Sequence, residues 1–478
     1  MPLLLDSSRP ASHFGRYDIA MAQPLVVISH KNGVTQVEQN GVIETTDVDP
    51  FDLIGQLQTE LLTDTSTLPQ AKHIPFTGGA AGLFGYDLGR AIESLPSKAI
   101  ADIAMQDLCI GIYPWAIIND HELQKSYLVS QLDESSTHAL EQHILQAHPP
   151  KSQSFCLEKD FVSNMTQQQY SEKFHRVIDY IHAGDCYQVN LAQRFDAPYR
   201  GNPWQAYQHL RRVSPTPFSA YLETSKGAIL SLSPERLLQV DNGKVETKPI
   251  KGTRKRGETV NEDEYLYEEL AASPKDRSEN LMIVDLLRND LSKHCLPFSV
   301  EVPQLFAIES YSNVHHLVTT ITGRLESKEH ILPLLKGAFP GGSITCAPKL
   351  RAMEIIEELE PHRRNGYTGS IGYISSNGRM DTNICIRTLV TNAKGDNGGH
   401  IYCWAGGGLV ADSECESEYQ ETFDKVNNLL NGLRKLSANL TFTRSPKRQI
   451  TASAMFCAQT RHQGLALFGM LELPQLYS

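Results

Sequence analysis

The apolar stretches of this chain come as runs of short segments separated by turn residues, and stretches with helical period come in blocks between those runs. Pro24-Leu25-Val26-Val27-Ile28 is typical of residues 1–160, which read as strands of an antiparallel sheet. The strict strand–helix alternation that a parallel Rossmann-type sheet needs is missing, so the chain is expected to be α+β. Leu230 to Val240 and Lys244 to Pro249 flank Asp241-Asn242-Gly243, a strong hairpin signal. Glu235 lies about seven residues before that turn and Lys251 about nine after it, so a paired hairpin would bring an acid and an amine together.

Tyr170, Phe174, Val177, Ile178 and Ile181 recur with helical spacing over 166–183, and Gly184 follows as a stop signal. Ser273-Pro274 opens a second helix ahead of Leu281, Val284, Leu287 and Leu291. A third is expected from Pro348 to Leu359, after the loop PGGSITCAPK. The last begins at Ser413 and Glu416, a capping-box spacing, and runs to Leu436. On it Glu418, Glu421 and Lys425 share one face, while Val426, Leu429 and Leu433 mark a buried side. Strands are expected at GSIGYIS, MDTNICIRTLV and IYCWAGGG. The glycine-rich GGAAGLFGYDLGR, residues 78–90, lacks the GxxxxGK[ST] pattern of a phosphate cradle and reads as close backbone packing.

Composition narrows the function classes. With 478 residues, 40% of them hydrophobic, the chain can bury a large core. A net charge of −11 argues against a nucleic-acid partner, and no stretch approaches the roughly 18 apolar residues of a membrane span. The opening MPLLLDSSRP lacks the basic region of a signal peptide. Nine cysteines without CxxC spacing suit reduced thiols in the cytoplasm and make a zinc site unexpected.

SPER at 233–236, PIKGT at 249–253, KDRSENLMIVDLLRND at 275–290, VHHLV at 314–318, PGGSIT and APK within 340–349, IRTL at 386–389, AGGG at 405–408 and EYQETFDK at 418–425 resemble, in order, the blocks of the chorismate-utilising enzymes. The resemblance covers roughly residues 1–436. It implies a large, mostly antiparallel two-sheet sandwich flanked by helices, the anthranilate synthase component I-like fold. Residues 1–160 would form the strand-rich N-terminal region, 161–436 the chorismate-binding catalytic region, and 437–478 an unmatched tail. That tail holds Arg444, Lys447, Arg448 and Arg461 against Glu472 alone, a shift in composition that suggests an appended or frame-shifted tail.

Within the family, anthranilate synthases carry alanine where this chain has Lys251, and isochorismate and salicylate synthases carry a water-activating lysine where it has Gln188. Lysine and glutamine together resemble the aminodeoxychorismate synthases, with anthranilate synthase component I as the alternative and an inactive regulatory protein as a third reading. The resemblance implies Lys251 as covalent nucleophile, Glu235 as general acid, and His316 beside the departing hydroxyl. Thr253 and Ser343 would donate hydrogen bonds to substrate oxygens. Mg²⁺ would be held by Glu279 and Glu421, with Glu418 acting through water. Arg387 would fork the enolpyruvyl carboxylate, with Tyr373, Gly408 and Lys425 near it. Lys251 has to be neutral when it attacks, which burial or neighbouring cations would favour, and Glu235 has to hold a proton.

Three further expectations follow. No GxCxGxQ nucleophile elbow is present, so ammonia would come from a separate glutamine amidotransferase subunit in a heterodimer. Residues 3–18 and SPTPFSAY, 214–221, resemble the family's L-tryptophan site and nominate Ser7, Phe14, Gly15, Arg16, Tyr17, Pro217, Phe218 and Ser219; ordinary strand packing explains them equally well. Cys346 stands where the family usually has glycine, and positive φ there would strain the loop by about 1–2 kcal/mol.

Overall fold

Every pairing between the chain's strands is antiparallel in the computed structural model, which describes residues 1–9, 15–147, 153–311, 314–393, 398–442 and 469–473. The described strands make two sheets of twelve. The first runs from Val189–Arg200 through Gly398–Leu409, Thr388–Ala393, Gly227–Ser233, Phe218–Thr224, Leu3–Asp6, Tyr17–Met21, Trp115–Asp120 and Lys125–Ser130 to Gly469–Leu473. The second runs from Ile250–Lys255 through Val314–Arg324, Lys244–Thr247, Arg236–Asp241, Met380–Asn383, Ser370–Ser375, Gly79–Phe84, Leu108–Tyr113 and Val26–Lys31 to the hairpin Val34–Gln39 and Val42–Thr46. Residues 1–160 therefore supply strands to both sheets.

Apolar faces decide the layering. Leu83 and Ile371 of the second sheet meet Ile118, Leu222 and Trp404 of the first in an inter-sheet core. Helices Pro50–Leu61, Pro274–Ser292 and Ile331–Ala338 cover the outside of the second sheet, with Ile54, Ile283, Leu287 and Leu334 against Ile110, Val240 and Ile321. Pro203–Val213 and Cys415–Phe442 cover the first, where Leu210, Val426, Leu429 and Leu433 meet Leu230, Leu389 and Ile401. Helices Gln167–His182 and Lys349–Leu359 close one end through Tyr170, Phe174, Val177, Ile355 and Ile356. This is the expected α+β sandwich flanked by helices. Among the described residues no helix is long and apolar enough to cross a membrane, and the eight described cysteines are unpaired.

Local signals account for most boundaries. Thr166 and Gln169 form a reciprocal capping box, and Ser273 caps the helix that Pro274 opens. The glycines of 78–90 do serve close packing: a Cβ on Gly82 would lie 2.1 Å from the Cys109 carbonyl oxygen. Ser413 does not cap the last helix; its hydroxyl is committed to Glu418 Oε1 at 2.7 Å. Helices Pro50–Leu61, Glu134–Gln146, Pro203–Val213 and Val260–Ala272 were not expected, although Asp49-Pro50 and Asn202-Pro203 repeat the cap–proline signature of Ser273-Pro274.

Two expected strands break, and both breaks matter. Leu230 to Val240 divides at Pro234-Glu235, leaving Gly227–Ser233 in the first sheet and Arg236–Asp241 in the second; Pro234 offers no N–H to continue a ladder. MDTNICIRTLV divides between Asn383 and Thr388, returning the chain from the second sheet to the first through Arg387 at φ +48°. The two crossovers lie side by side: Ile384 N–H donates to the Glu235 carbonyl at 3.0 Å, and Leu232 N–H to the Arg387 carbonyl at 3.1 Å. The hairpin forms at Asn242 and Gly243, both at positive φ, but its pairing ends at Gln239↔Glu246. Lys251 is therefore not carried to Glu235 by hairpin register. Its strand pairs with Val314–Arg324 instead.

Candidate active site

Glu235 sits at the first crossover, buried, and accepts a hydrogen bond from Ser343 Oγ at 2.8 Å. Burial pushes its carboxyl above the ordinary value, opposed by the Lys251 charge, the Ser343 hydroxyl and the Ile250 amide. Lys251 Nζ donates to the Ser343 carbonyl at 3.0 Å, so one serine joins the acid to the amine. The register of the Lys251 strand slips between Ile250 and Thr253, and Gly252 within the slip has φ +76°. This bulge turns Lys251 off the ladder and toward the crossover. The charges facing Lys251 include those of Glu235 and Glu279.

Thr253 Oγ1 and His316 Nδ1 are 2.8 Å apart on paired strands. Burial, with the Arg387 cation second, lowers the His316 pKa to about 4, so the ring is neutral at any working pH. The guanidinium of Arg387, half-buried at the second crossover, has neither a hydrogen-bond nor an ion-pair partner among the described residues, and burial alone lowers its pKa. A guanidinium in that setting is prepared for a carboxylate brought by a ligand.

The glycine strand that follows gathers the remaining groups. Lys425 Nζ donates to the Gly406 carbonyl at 2.8 Å and pairs with Glu421 at 2.6 Å. A Cβ on Gly407 would stand 2.7 Å from Glu418 Oε2 and 4.0 Å from Glu421 Oε1, and one on Gly408 would stand 2.7 Å from Gln188 Nε2. That amide also reaches Glu279 Oε2 at 3.4 Å, while its own buried Oε1 finds no partner. Glu279 and Glu418 are both raised above the ordinary carboxylate range by burial, and Glu421 adds like charge to Glu418. A divalent cation would relieve that cost. No group of three or more His, Cys, Asp or Glu among the described residues stands close enough to hold a metal unaided. Carboxylates are the donors that Mg²⁺ takes, one or two at a time together with waters and substrate oxygens.

Tyr373 stands apart from these groups. It lines an inter-sheet cavity of ≈ 350 Å³ together with Gly15, Arg16, Tyr17, Pro217, Phe218 and Ser219. Ser7 borders the same region, its Oγ donating to Asp18 Oδ1 at 2.7 Å and its Cβ 2.8 Å from where a Gly15 Cβ would be, while Phe14 lies outside the described residues. The tyrosine beside the glycine strand is Tyr367, whose hydroxyl is hydrogen-bonded by the Gly406 backbone and whose ring lies 5.5 Å from the buried Arg364 guanidinium. Both tyrosines follow a glycine in sequence, and nothing local tells them apart. Cys346 has φ +80° and ψ −164°, fully buried, as the glycine pattern implied.

Residues 4–431 match the family of chorismate binding enzymes. The chain is 49% identical over 433 residues to aminodeoxychorismate synthase component 1 of Klebsiella aerogenes, covering 90% of this chain and 93% of that protein. It is 36% identical over 467 residues to anthranilate synthase component 1 of a Synechocystis strain, covering 91% of each. Among solved structures, anthranilate synthase component I of Streptococcus pneumoniae superposes with a TM-score of 0.76 at 30% identity, covering 87% of this chain and 92% of the other. With its motifs, its two-sheet fold and its polar crossover site in agreement with such relatives, the chain belongs to the chorismate binding enzyme family.

Proposed function

We propose that the chain acts as component 1 of an aminodeoxychorismate synthase, converting chorismate and ammonia to 4-amino-4-deoxychorismate and water on the way to p-aminobenzoate and folate. The observation that carries this reading is the chain Lys251–Ser343–Glu235, an amine and a proton-retaining acid joined through one residue. Ser343 links the amine to an acid whose burial favours its protonated form.

Lys251 Nζ attacks C2, the ring double bonds shift, and the C4–O bond breaks as Glu235 gives its proton to the departing hydroxyl. The lysine is then a secondary ammonium on C2 and Glu235 a carboxylate. Ammonia attacks C4, the double bonds shift back, Lys251 leaves as neutral amine, and Glu235 takes the surplus proton from nitrogen. His316 and Thr253 would orient the hydroxyl, and Arg387 would hold the enolpyruvyl carboxylate, with Lys425 at the glycine strand beside Gly408. Mg²⁺ held by Glu279 and Glu421, with Glu418 through water, would neutralise the ring carboxylate. A separate glutamine amidotransferase component would supply the ammonia in a cytoplasmic heterodimer, and the inter-sheet cavity would take L-tryptophan. Relatives named anthranilate synthase keep a second product in view; fluorescence of anthranilate separates it from aminodeoxychorismate.

Intact-mass spectrometry with chorismate and Mg²⁺ but no ammonia tests the reading. A chorismate-derived adduct on the Lys251 peptide, absent in Lys251→Ala, is expected. Full ammonium-driven turnover in Lys251→Ala, with no adduct in the parent chain, would remove the mechanism.

A further inference from the structure

The first sheet ends on a strand that lies beyond the family match. That match stops at residue 431, yet Gly469–Leu473 pairs with Lys125–Ser130 in unbroken register, from Ser130↔Gly469 to Ser126↔Leu473. The receiving strand is apolar and covered on both faces. Tyr127 and Val129 belong to the inter-sheet core, while Leu128 packs with Trp115 and Ile117 under Leu140 and Ile144 of the helix Glu134–Gln146. Its pairing with Trp115–Asp120 is regular over six residues with no bulge, and it carries no proline and a single charge, Lys125, at its end. Exposed edges are normally blunted by bulges, prolines, charge or shortness, because a bare row of N–H and C=O groups is a template for another strand. The opposite end of the same sheet uses shortness: Cys156–Leu157 and Val162–Ser163 are two residues each. The Lys125–Ser130 edge has none of these devices, only the added strand. In sequence that strand is GMLEL followed by Pro474, which lacks the N–H to extend a ladder.

We propose that the Lys125–Ser130 edge is a strand-acceptor site and that its occupant is this chain's own C-terminal segment Gly469–Leu473, which closes the edge against a second copy. Main-chain hydrogen bonds supply the attachment, as in other cases of strand addition. The role is independent of the catalytic residues, none of which lies in the segment.

Hydrogen exchange read by mass spectrometry on the full chain tests this, comparing the parent with Leu471→Pro. Residues 125–131 are expected to exchange about tenfold faster or more in the variant, with the central strands Phe218–Thr224 and Gly227–Ser233 unchanged. A synthetic FGMLELP peptide should restore protection to the variant and bind the parent chain weakly or not at all. Equal exchange of residues 125–131 in the two proteins overturns the proposal. Should Leu471→Pro lose protection everywhere, a crosslink decides: Ser126→Cys with Leu473→Cys is expected to close an intrachain disulfide under mild oxidation, and the out-of-register pair Ser126→Cys with Gly469→Cys is not. Failure of the in-register pair to close also overturns it.

Discussion

Burial shifts Glu235 up and His316 down, each toward its uncharged form, and their pH signatures run in opposite directions. Folded Glu235 holds its proton more tightly than the unfolded chain does, so unfolding releases it and stability falls as pH rises from the ordinary carboxylate value toward the raised folded one. Glu235→Gln keeps a hydrogen-bonding partner for Ser343 and removes that cost. Melting curves should show the variant gaining on the parent chain as pH rises above the ordinary carboxylate value of about 4.3 while amination is lost; a constant difference there would count against a buried proton. Folded His316, at about 4, takes up its proton late. Unfolding therefore binds a proton as pH falls from the ordinary histidine value of about 6.5, and up to about 3 kcal/mol of stability is lost by pH 4. His316→Asn should flatten that acid limb in urea titrations. Cys346 offers a cleaner comparison, since its φ and ψ fall where essentially only glycine rests. Cys346→Gly should be more stable than Cys346→Ala by about 1–2 kcal/mol, although glycine has the looser unfolded state. The positive φ at 346 and the approach of Lys251 to Glu235 were legible in the sequence. Tyr367 was not, because what distinguishes it from Tyr373 is which sheet-facing wall it joins, and that depends on strands remote in sequence.

Strands, not side chains, were where sequence pattern misled. Leu230 to Val240 and MDTNICIRTLV each read as one strand because apolar residues continue through the break, yet each changes sheets at its middle. Pro234 was a visible hint; the left-handed turn at Arg387 was not, since arginine has no preference for it. These breaks place Glu235 and Arg387 at adjacent crossovers, where a strand that stayed in one sheet would have buried them against its neighbours or turned them to solvent. The bulge at Ile250–Thr253 does the same for Lys251, and it depends on Gly252: a Cβ there would meet Asp276 Cγ at 2.8 Å and Leu270 at 2.9 Å, at φ +76°. Gly252→Ala should cost about 1–3 kcal/mol of stability and shift Lys251. Single-turnover adduct formation should slow by more than about tenfold with little change in chorismate affinity. An unchanged adduct rate would mean that the bulge does not position the amine.

Taken whole, the molecule draws its candidate ion-binding carboxylates from two layers. Glu279 rides on Pro274–Ser292, which packs on the second sheet, and Glu418 and Glu421 ride on Cys415–Phe442, which packs on the first. The layering itself was legible, since helical and strand periods are plain in the sequence, but which helix covers which sheet was not, because it follows from the crossovers. An ion gripped by Glu279 and Glu421 and completed by a substrate carboxylate would tie those two layers together. On the proposed arrangement neither ligand alone would suffice: Mg²⁺ without chorismate would lack donors, and chorismate without Mg²⁺ would bring its carboxylate toward unneutralised ones. Their stabilising effects should therefore exceed the sum of the separate ones. A ligand at a hundred times its Kd adds about 2.7 kcal/mol to the folded state, several degrees in Tm for a smaller domain and less for a chain this long. Thermal melts with Mg²⁺, chorismate, both and neither should show a shift for the pair larger than the two single shifts combined. In Glu279→Gln the excess should vanish while the shift from chorismate alone persists through Arg387. Additive shifts in the parent chain would mean that ion and substrate do not share a site.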